Sequence, residues 1–187
     1  MMRSTVLLAL IPTILHASAA AAADWNGMPA ASRLEFVATY QKQQVPGEFH
    51  RFNVRLAMEP NNPPASRLEV TVFTQSADMR STDINRTILK PDWFDAERYP
   101  SARFESTGIA AEAENHYLAK GTLTLKGVQR EVTVPFTWRE SGQSANMLGE
   151  LSLNRADFGI GIGDWAKDDP IGLKITVRFT LKLDRSR

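Results

Sequence analysis

Residues 172–184 read GLKITVRFTLKLD. Leu173, Ile175, Val177, Phe179, Leu181 and Leu183 alternate with Lys174, Thr176, Arg178, Thr180 and Lys182. Side chains of a strand point to opposite faces with period two. This segment is therefore a long strand with one buried and one wet face, and a helix cannot carry that pattern. The same alternation recurs along the chain. Residues 34–40 place Leu34, Phe36, Ala38 and Tyr40 on one face; residues 52–58 place Phe52, Val54, Leu56 and Met58 there. RLEVTVFT (67–74), ARFESTGI (102–109), YLAKGTLTL (117–125), REVTVPFTW (130–138) and MLGELSLN (147–154) read as further strands. The turns between them are rich in Pro, Asn and Gly, as MEPNNPPAS (58–66) shows, and Lys126-Gly127-Val128-Gln129 reads as a hairpin turn.

One stretch departs from period two. Residues 78–90 (DMRSTDINRTILK) predict one short helix around residues 80–90, with Ser81, Thr82 or Asp83 able to cap it and Pro91 ending it. Some eight antiparallel strands with one-sided apolar faces predict an all-β fold, a closed barrel or a sandwich; a barrel of about eight strands can hold one small ligand. Lys174, Arg178 and Lys182 opposite the apolar face of 172–184 would crowd a narrow lumen, which favours a soluble barrel over an outer-membrane one.

The first 23 residues have another character. Arg3 precedes an apolar run at 5–15, and ASAAAAA at 17–23 offers small-residue cleavage sites. This is the pattern of a signal peptide, cut here after Ala23 to leave a single domain over 24–187. Charge is balanced, 22 Lys and Arg against 21 Asp and Glu, so the domain has no basic footprint for nucleic acid. There is no cysteine, and His50 and His116 are the only histidines after the leader, too few for a His-rich metal site; a catalytic triad would need one of them, and no G-x-S-x-G elbow is present.

LNRADFGIGIGDW (153–165) resembles a phosphate-binding glycine loop only superficially. Gly159, Gly161 and Gly163 lack the spacing of a dinucleotide fingerprint, and Pro170 and a strand follow instead of a helix. Read as extended chain, the segment sets Phe158, Ile160 and Ile162 on one face and the glycines on the other, where backbone or a ligand could approach closely. Asp92, Asp95, Asp164, Asp168 and Asp169 lie in turn-like sequence, as solvated caps do, and no catalytic residue is nominated from them. Small residues at inward positions, Ala38, Gly108, Ala119 and Gly121, stand beside large aromatics. That combination predicts an apolar cavity. The candidate ligand contacts are Phe36, Tyr40, Phe52 and Phe104 from strands, Trp93, Phe94 and Trp165 from connections, and Phe158, Ile160 and Ile162 from the glycine stretch. Asn154, Arg155 and Asp157 are candidates for a polar headgroup, or for an internal salt bridge that braces the loop.

Three motifs carry a family resemblance. Residues 92–104 (DWFDAERYPSARF) resemble an "FFD…YP…F-x-S" signature of the YceI-like family of polyisoprenoid-binding proteins; residues 121–128 (GTLTLKGV) resemble its "G-x-L-T-[IL]-[KR]-G-V" hairpin; residues 153–161 (LNRADFGIG) resemble its "[IL]-N-R-x-D-[FW]-G-[IV]-G" segment. They stand in family order, and Gly47 to Phe52 resembles the family's second strand. The resemblance implies an elongated, lipocalin-like antiparallel β-barrel, secreted to the periplasm. It implies no catalytic cofactor and a bound isoprenoid lipid, either a quinone or a polyprenyl precursor, in an apolar tunnel. Dimers are known in the family, and it is not established as enzymatic. The family's "H-S" pair is replaced here by Ala31-Ser32, which removes a polar contact near that end. Two other readings stay open: a lipid-modifying enzyme using acids such as Asp157 or Asp164, and a non-catalytic module with a filled barrel that docks to a membrane-bound redox protein.

Overall fold

The computed structural model describes residues 23–186, so the expected leader lies, except for Ala23, outside the described residues. Among the described residues there are eleven strand segments and one α-helix: β1 (Ala23–Gly27), β2 (Arg33–Tyr40), β3 (Gln43–Phe49), β4 (Phe52–Met58), β5 (Arg67–Phe73), β6 (Ala77–Asp78), α1 (Thr82–Ile88), β7 (Ser101–Ala113), β8 (His116–Leu125), β9 (Val128–Ser141), β10 (Ser144–Asn154) and β11 (Lys174–Arg185). All pairings are antiparallel. The order β1-β4-β5-β7-β8-β9-β10-β11 returns to β1, which closes a barrel of eight strands.

Three of those strands are bent. β1 and β2 both pair with β11 (Trp25 opposite Arg185, Phe36 opposite Val177), and a single turn at Pro29–Ala31 separates them. β3 and β4 follow the same line on the other side, broken at His50 and Arg51; β5 and β6 are broken at Thr74–Ser76. The β2–β3–β6 run thus extends the barrel wall upward at one end. Alternation does not reveal β1, β3 or β6 because each is short or interrupted; β3 carries Pro46 and Gly47 within seven residues, and only its end, from Gly47, falls in a family motif.

The inward positions of β10 and β11 form a ladder of facing pairs: Leu153–Ile175, Leu151–Val177, Gly149–Phe179, Met147–Leu181 and Ala145–Leu183. At the last of these the barrel is filled. Trp25 meets Trp138 edge-on with ring centroids 5.2 Å apart, and Leu56, Met58, Ile109, Ala145 and Leu183 complete the packing. A second apolar cluster at the other end joins Phe36, Ala77, Ile88, Trp93, Phe158 and Ile160.

Local details differ from the sequence reading in instructive ways. Leu125 pairs directly with Val128, so the β8–β9 turn has two residues, Lys126 and Gly127, both at positive φ as a type I′ turn requires. Ser81 stands at the helix N-cap position, yet its side chain makes no capping bond. Asn85 anchors the helix instead: its Oδ1 accepts from Met79 N at 2.7 Å, and its Nδ2 donates to Asp78 Oδ1 at 2.8 Å. The expected extended stretch at 158–163 is absent. β10 ends at Asn154, Arg155–Phe158 makes a 3-10 turn, and Gly159, Gly161 and Gly163 are left-handed, with φ of 62°, 70° and 64°. Each glycine turns the chain, so the side chains do not alternate.

Candidate apolar binding site

Between the two clusters lies a cavity of about 690 Å³, within the range of roughly 300–1,000 Å³ typical of small-molecule sites. Its floor is the level of Leu34, Val54, Leu68, Val134, Met147 and Leu181; the side chains packed below it do not border the space. Its wall rises through Val177, Leu151 and Ile175. At the rim it is bordered by the end of β2 at Tyr40, by α1 at Asp83, Ile84 and Thr87, and by Trp165 and Ile171. Tyr40 and Ile84, 45% and 41% exposed, thus reach both the cavity and solvent.

Nine of the ten residues nominated as ligand contacts border this one space: Phe36, Tyr40, Phe52 and Phe104 from the barrel, Trp93 and Phe94 from the connection after α1, and Phe158, Ile160 and Trp165 from the long β10–β11 connection. The exception is Ile162. It is 45% exposed and outside the cavity, because the left-handed residues on either side rotate it away from Phe158 and Ile160. The rings make a chain of contacts, Phe36 to Phe49 at 4.9 Å and Phe49 to Phe94 at 5.9 Å, with Trp93 and Trp165 5.8 Å apart.

The small residues do other work than predicted. Only Ala38 borders the cavity. A Cβ on Gly121 would collide with Phe104 and with the Glu105 carbonyl, so that glycine seats a ring instead of opening a void. Ala119 is sealed in the packed end, and Gly108 has open space around it away from the cavity.

The headgroup candidates separate. Asn154 and Asp157 are exposed and outside the cavity; Asn154 Oδ1 accepts from Ala156 N at 3.0 Å and caps the 3-10 turn. Arg155 borders the cavity but is 3% exposed, and its guanidinium is fully used. Nε donates to Gly172 O at 3.0 Å; Nη1 donates to Ile160 O and Gly161 O, both at 2.9 Å; Nη2 donates to Trp165 O, Lys167 O and Ile171 O at 2.7, 3.0 and 2.9 Å. Arg155 therefore braces the connection over 160–172 through carbonyl dipoles, and neither of its two expected roles, headgroup contact or internal salt bridge, describes those contacts. Burial disfavours its charge, and the nearby Asp168 carboxylate offsets part of that. Gly161 must be glycine here, since a Cβ would strike Arg155 Nη1. Lys126 adds a second pin: its Nζ donates to Pro91 O at 2.6 Å and to Gly159 O at 2.7 Å. Burial lowers its pKa, opposed by Asp95 and Asp92.

The remaining polar groups on the lining are few. Thr74 donates its hydroxyl to Tyr99 O and Thr87 to Asp83 O, both at 2.9 Å; Thr39 and Arg103 also border the space. Asp92, Asp95, Asp157, Asp164, Asp168 and Asp169 do not face the cavity. His50 sits at the β3–β4 break, 3.3 Å from Asp78, and His116 meets the Glu114 carbonyl on the outside of β8. Among the described residues, no group of three or more His, Cys, Asp or Glu could hold a metal ion. What the arrangement can do is enclose a long apolar molecule and exclude water from it.

Sequence reasoning missed Phe49, the α1 face at Ile84, Thr87 and Ile88, and the floor pair Met147 and Leu181. For the floor the signal was present: the alternation of β11 already put Ile175 through Leu183 on one inward face.

A family model for the YceI-like domain matches residues 25–183. A UPF0312 protein of Vibrio cholerae is 29% identical over 124 residues, 63% of this chain and 66% of that protein's own length. One of Pseudomonas putida is 30% identical over 139 residues, 71% of this chain and 72% of that protein. Among solved structures, BcnA of Burkholderia cenocepacia superimposes with a TM-score of 0.81 at 29% identity, covering 83% of this chain and 98% of BcnA. A polyisoprenoid binding domain of Saccharophagus degradans shares the fold, with a TM-score of 0.70 at 15% identity, 87% of this chain and 98% of that domain.

Proposed function

The chain belongs to the YceI-like domain family, and on that premise we propose that it is a lipid-binding protein that encloses one long-chain isoprenoid, a quinone or a polyprenyl precursor. The observation that carries this reading is the cavity: its lining is predominantly apolar and it is closed at one end by packed side chains. Each buried methylene contributes about 0.8 kcal/mol, so a chain of several isoprene units binds tightly with no strong polar anchor. That fits a lining whose one buried cation, Arg155, is already committed to six carbonyls. The fold neighbour from Saccharophagus degradans is named for polyisoprenoid binding, which agrees with the reading.

The reading is of a carrier or store, without catalysis. The acids considered for work on an enclosed chain, Asp157 and Asp164, lie outside the cavity, and Asp83 at its rim is solvent-exposed and paired with Arg86. A barrel filled by its own side chains would lack this space altogether. The leader-like residues 1–23 support secretion to the periplasm, and N-terminal sequencing of the protein from that fraction should begin at Asp24.

Binding is tested by titrating the delipidated chain with a quinone, which quenches nearby indoles. Saturable quenching at one quinone per chain is expected, since Trp93 and Trp165 border the cavity. A flat titration would overturn the proposal.

A further inference from the structure

The β10–β11 ladder gives the cavity a depth. Moving down from the rim, its inward pairs are Leu153–Ile175, Leu151–Val177, Gly149–Phe179 and Met147–Leu181, and the cavity ends before Ala145–Leu183. From Ile175 to Leu181 the strand rises about 20 Å, at roughly 3.3 Å per residue. Met147 and Leu181 are both buried, and the solid packing of Trp25, Leu56 and Trp138 stands behind them. An apolar chain that enters at the rim therefore meets a floor that does not yield without unpacking the closed end.

We propose that the Met147–Leu181 pair is a chain-length ruler, which sets how many isoprene units the protein accommodates. The proposal rests on the lipid reading above and adds its size limit. Every methylene between rim and floor exchanges water for side chains, which raises affinity about fourfold each. Once the tail touches the floor, further units remain at the mouth in water and add nothing. Affinity plotted against chain length thus rises steeply and then levels, and the break marks the depth. Bulk added partway up the ladder moves the break to shorter chains; side-chain volume removed from the floor moves it to longer ones.

The test uses the whole chain and a set of all-trans prenols that differ by one isoprene unit. Val177→Phe and Leu151→Phe each add a ring at the half-buried Leu151–Val177 pair, two rungs above the floor. Each should move the break at least one unit shorter and weaken the longest chains by at least about fifteenfold, the loss expected for the two methylenes of one unit alone. Met147→Ala should move the break longer. Its truncation also lowers stability, so the two phenylalanine variants carry the test if it does not fold. A break at the same length in every variant that binds overturns the ruler and leaves the lipid reading standing. A wild-type chain that binds no prenol of any length overturns the lipid reading, and the ruler with it.

Discussion

Gly149 faces Phe179 across the β10–β11 ladder, and the phenylalanine ring occupies the space that a Cβ on Gly149 would need. The Pro135 carbonyl closes the same space from β9. Gly47 beneath Phe36 and Gly121 beneath Phe104 repeat the arrangement. Glycines here let rings lie flat on the wall, and the rings then shape the cavity. Gly149→Ala should destabilise by about 1–3 kcal/mol through overpacking, and by less in a Phe179→Leu background. Urea unfolding of the two single variants and the double gives the coupling; strict additivity would contradict the arrangement.

Arg155 ties together five residues of the β10–β11 connection, Ile160, Gly161, Trp165, Lys167 and Ile171, and Gly172 just beyond them. Lysine at that position keeps the charge but not the planar fork of donors, so Arg155→Lys cannot serve six carbonyls. The expected loss is about 3 kcal/mol, since a hydrogen bond to a charged group contributes roughly 1.5–3 kcal/mol. The loosening should be local. Trypsin should cut after Lys167 faster in the variant than in the wild type, whereas an unchanged cleavage rate would argue against the brace.

Asp78 ties the helix at the rim to β3. Its carboxylate accepts from Asn85, from the Arg80 backbone N–H and from His50, which together pull its pKa from 3.8 to about 2. A lowered folded pKa means that the stabilising contribution is present above about pH 4, the unfolded value, and is lost as pH falls toward 2. Asp78→Asn should therefore be less stable than the wild type at pH 7, and the difference should shrink between pH 4 and pH 2. Urea midpoints across that range measure it. A difference independent of pH would show that ionised Asp78 does not anchor the helix.

Ile162 and Phe49 invert what the sequence suggests. Ile162 was nominated and lies outside the cavity; Phe49 was not, and it borders the space between Phe36 and Phe94. Ile162→Ser should leave quinone affinity unchanged, and Phe49→Ala should weaken it by about tenfold or more. The quenching titration reads both. Equal effects of the two would contradict the placement of the cavity.

What the sequence made legible is what period two encodes. The inward faces of β2, β4 and β11 follow from alternation alone, which leaves a barrel or a sandwich of about eight strands; the family motifs, not the alternation, point to the barrel. Alternation could not foretell where the filled end stops. That boundary depends on which rungs of different strands meet, Trp25 with Trp138 for instance, and pairing across 113 positions leaves no local trace. Nor could it show that the glycines at 159–163 are left-handed, because one backbone state and another share the same residue pattern. Arg155 looked like a headgroup ligand for a related reason. Its six partners are carbonyls, and a carbonyl carries no side-chain signature.

A long isoprenoid held in the cavity would be detected by organic extraction of protein purified gently from its native host, followed by mass spectrometry of the extract. The expected extract holds one isoprenoid species or a narrow set of chain lengths, near one molecule per chain, and the delipidated protein should take up added quinone to the same stoichiometry. An extract without lipid, from a protein that also takes up none, would contradict the lipid reading.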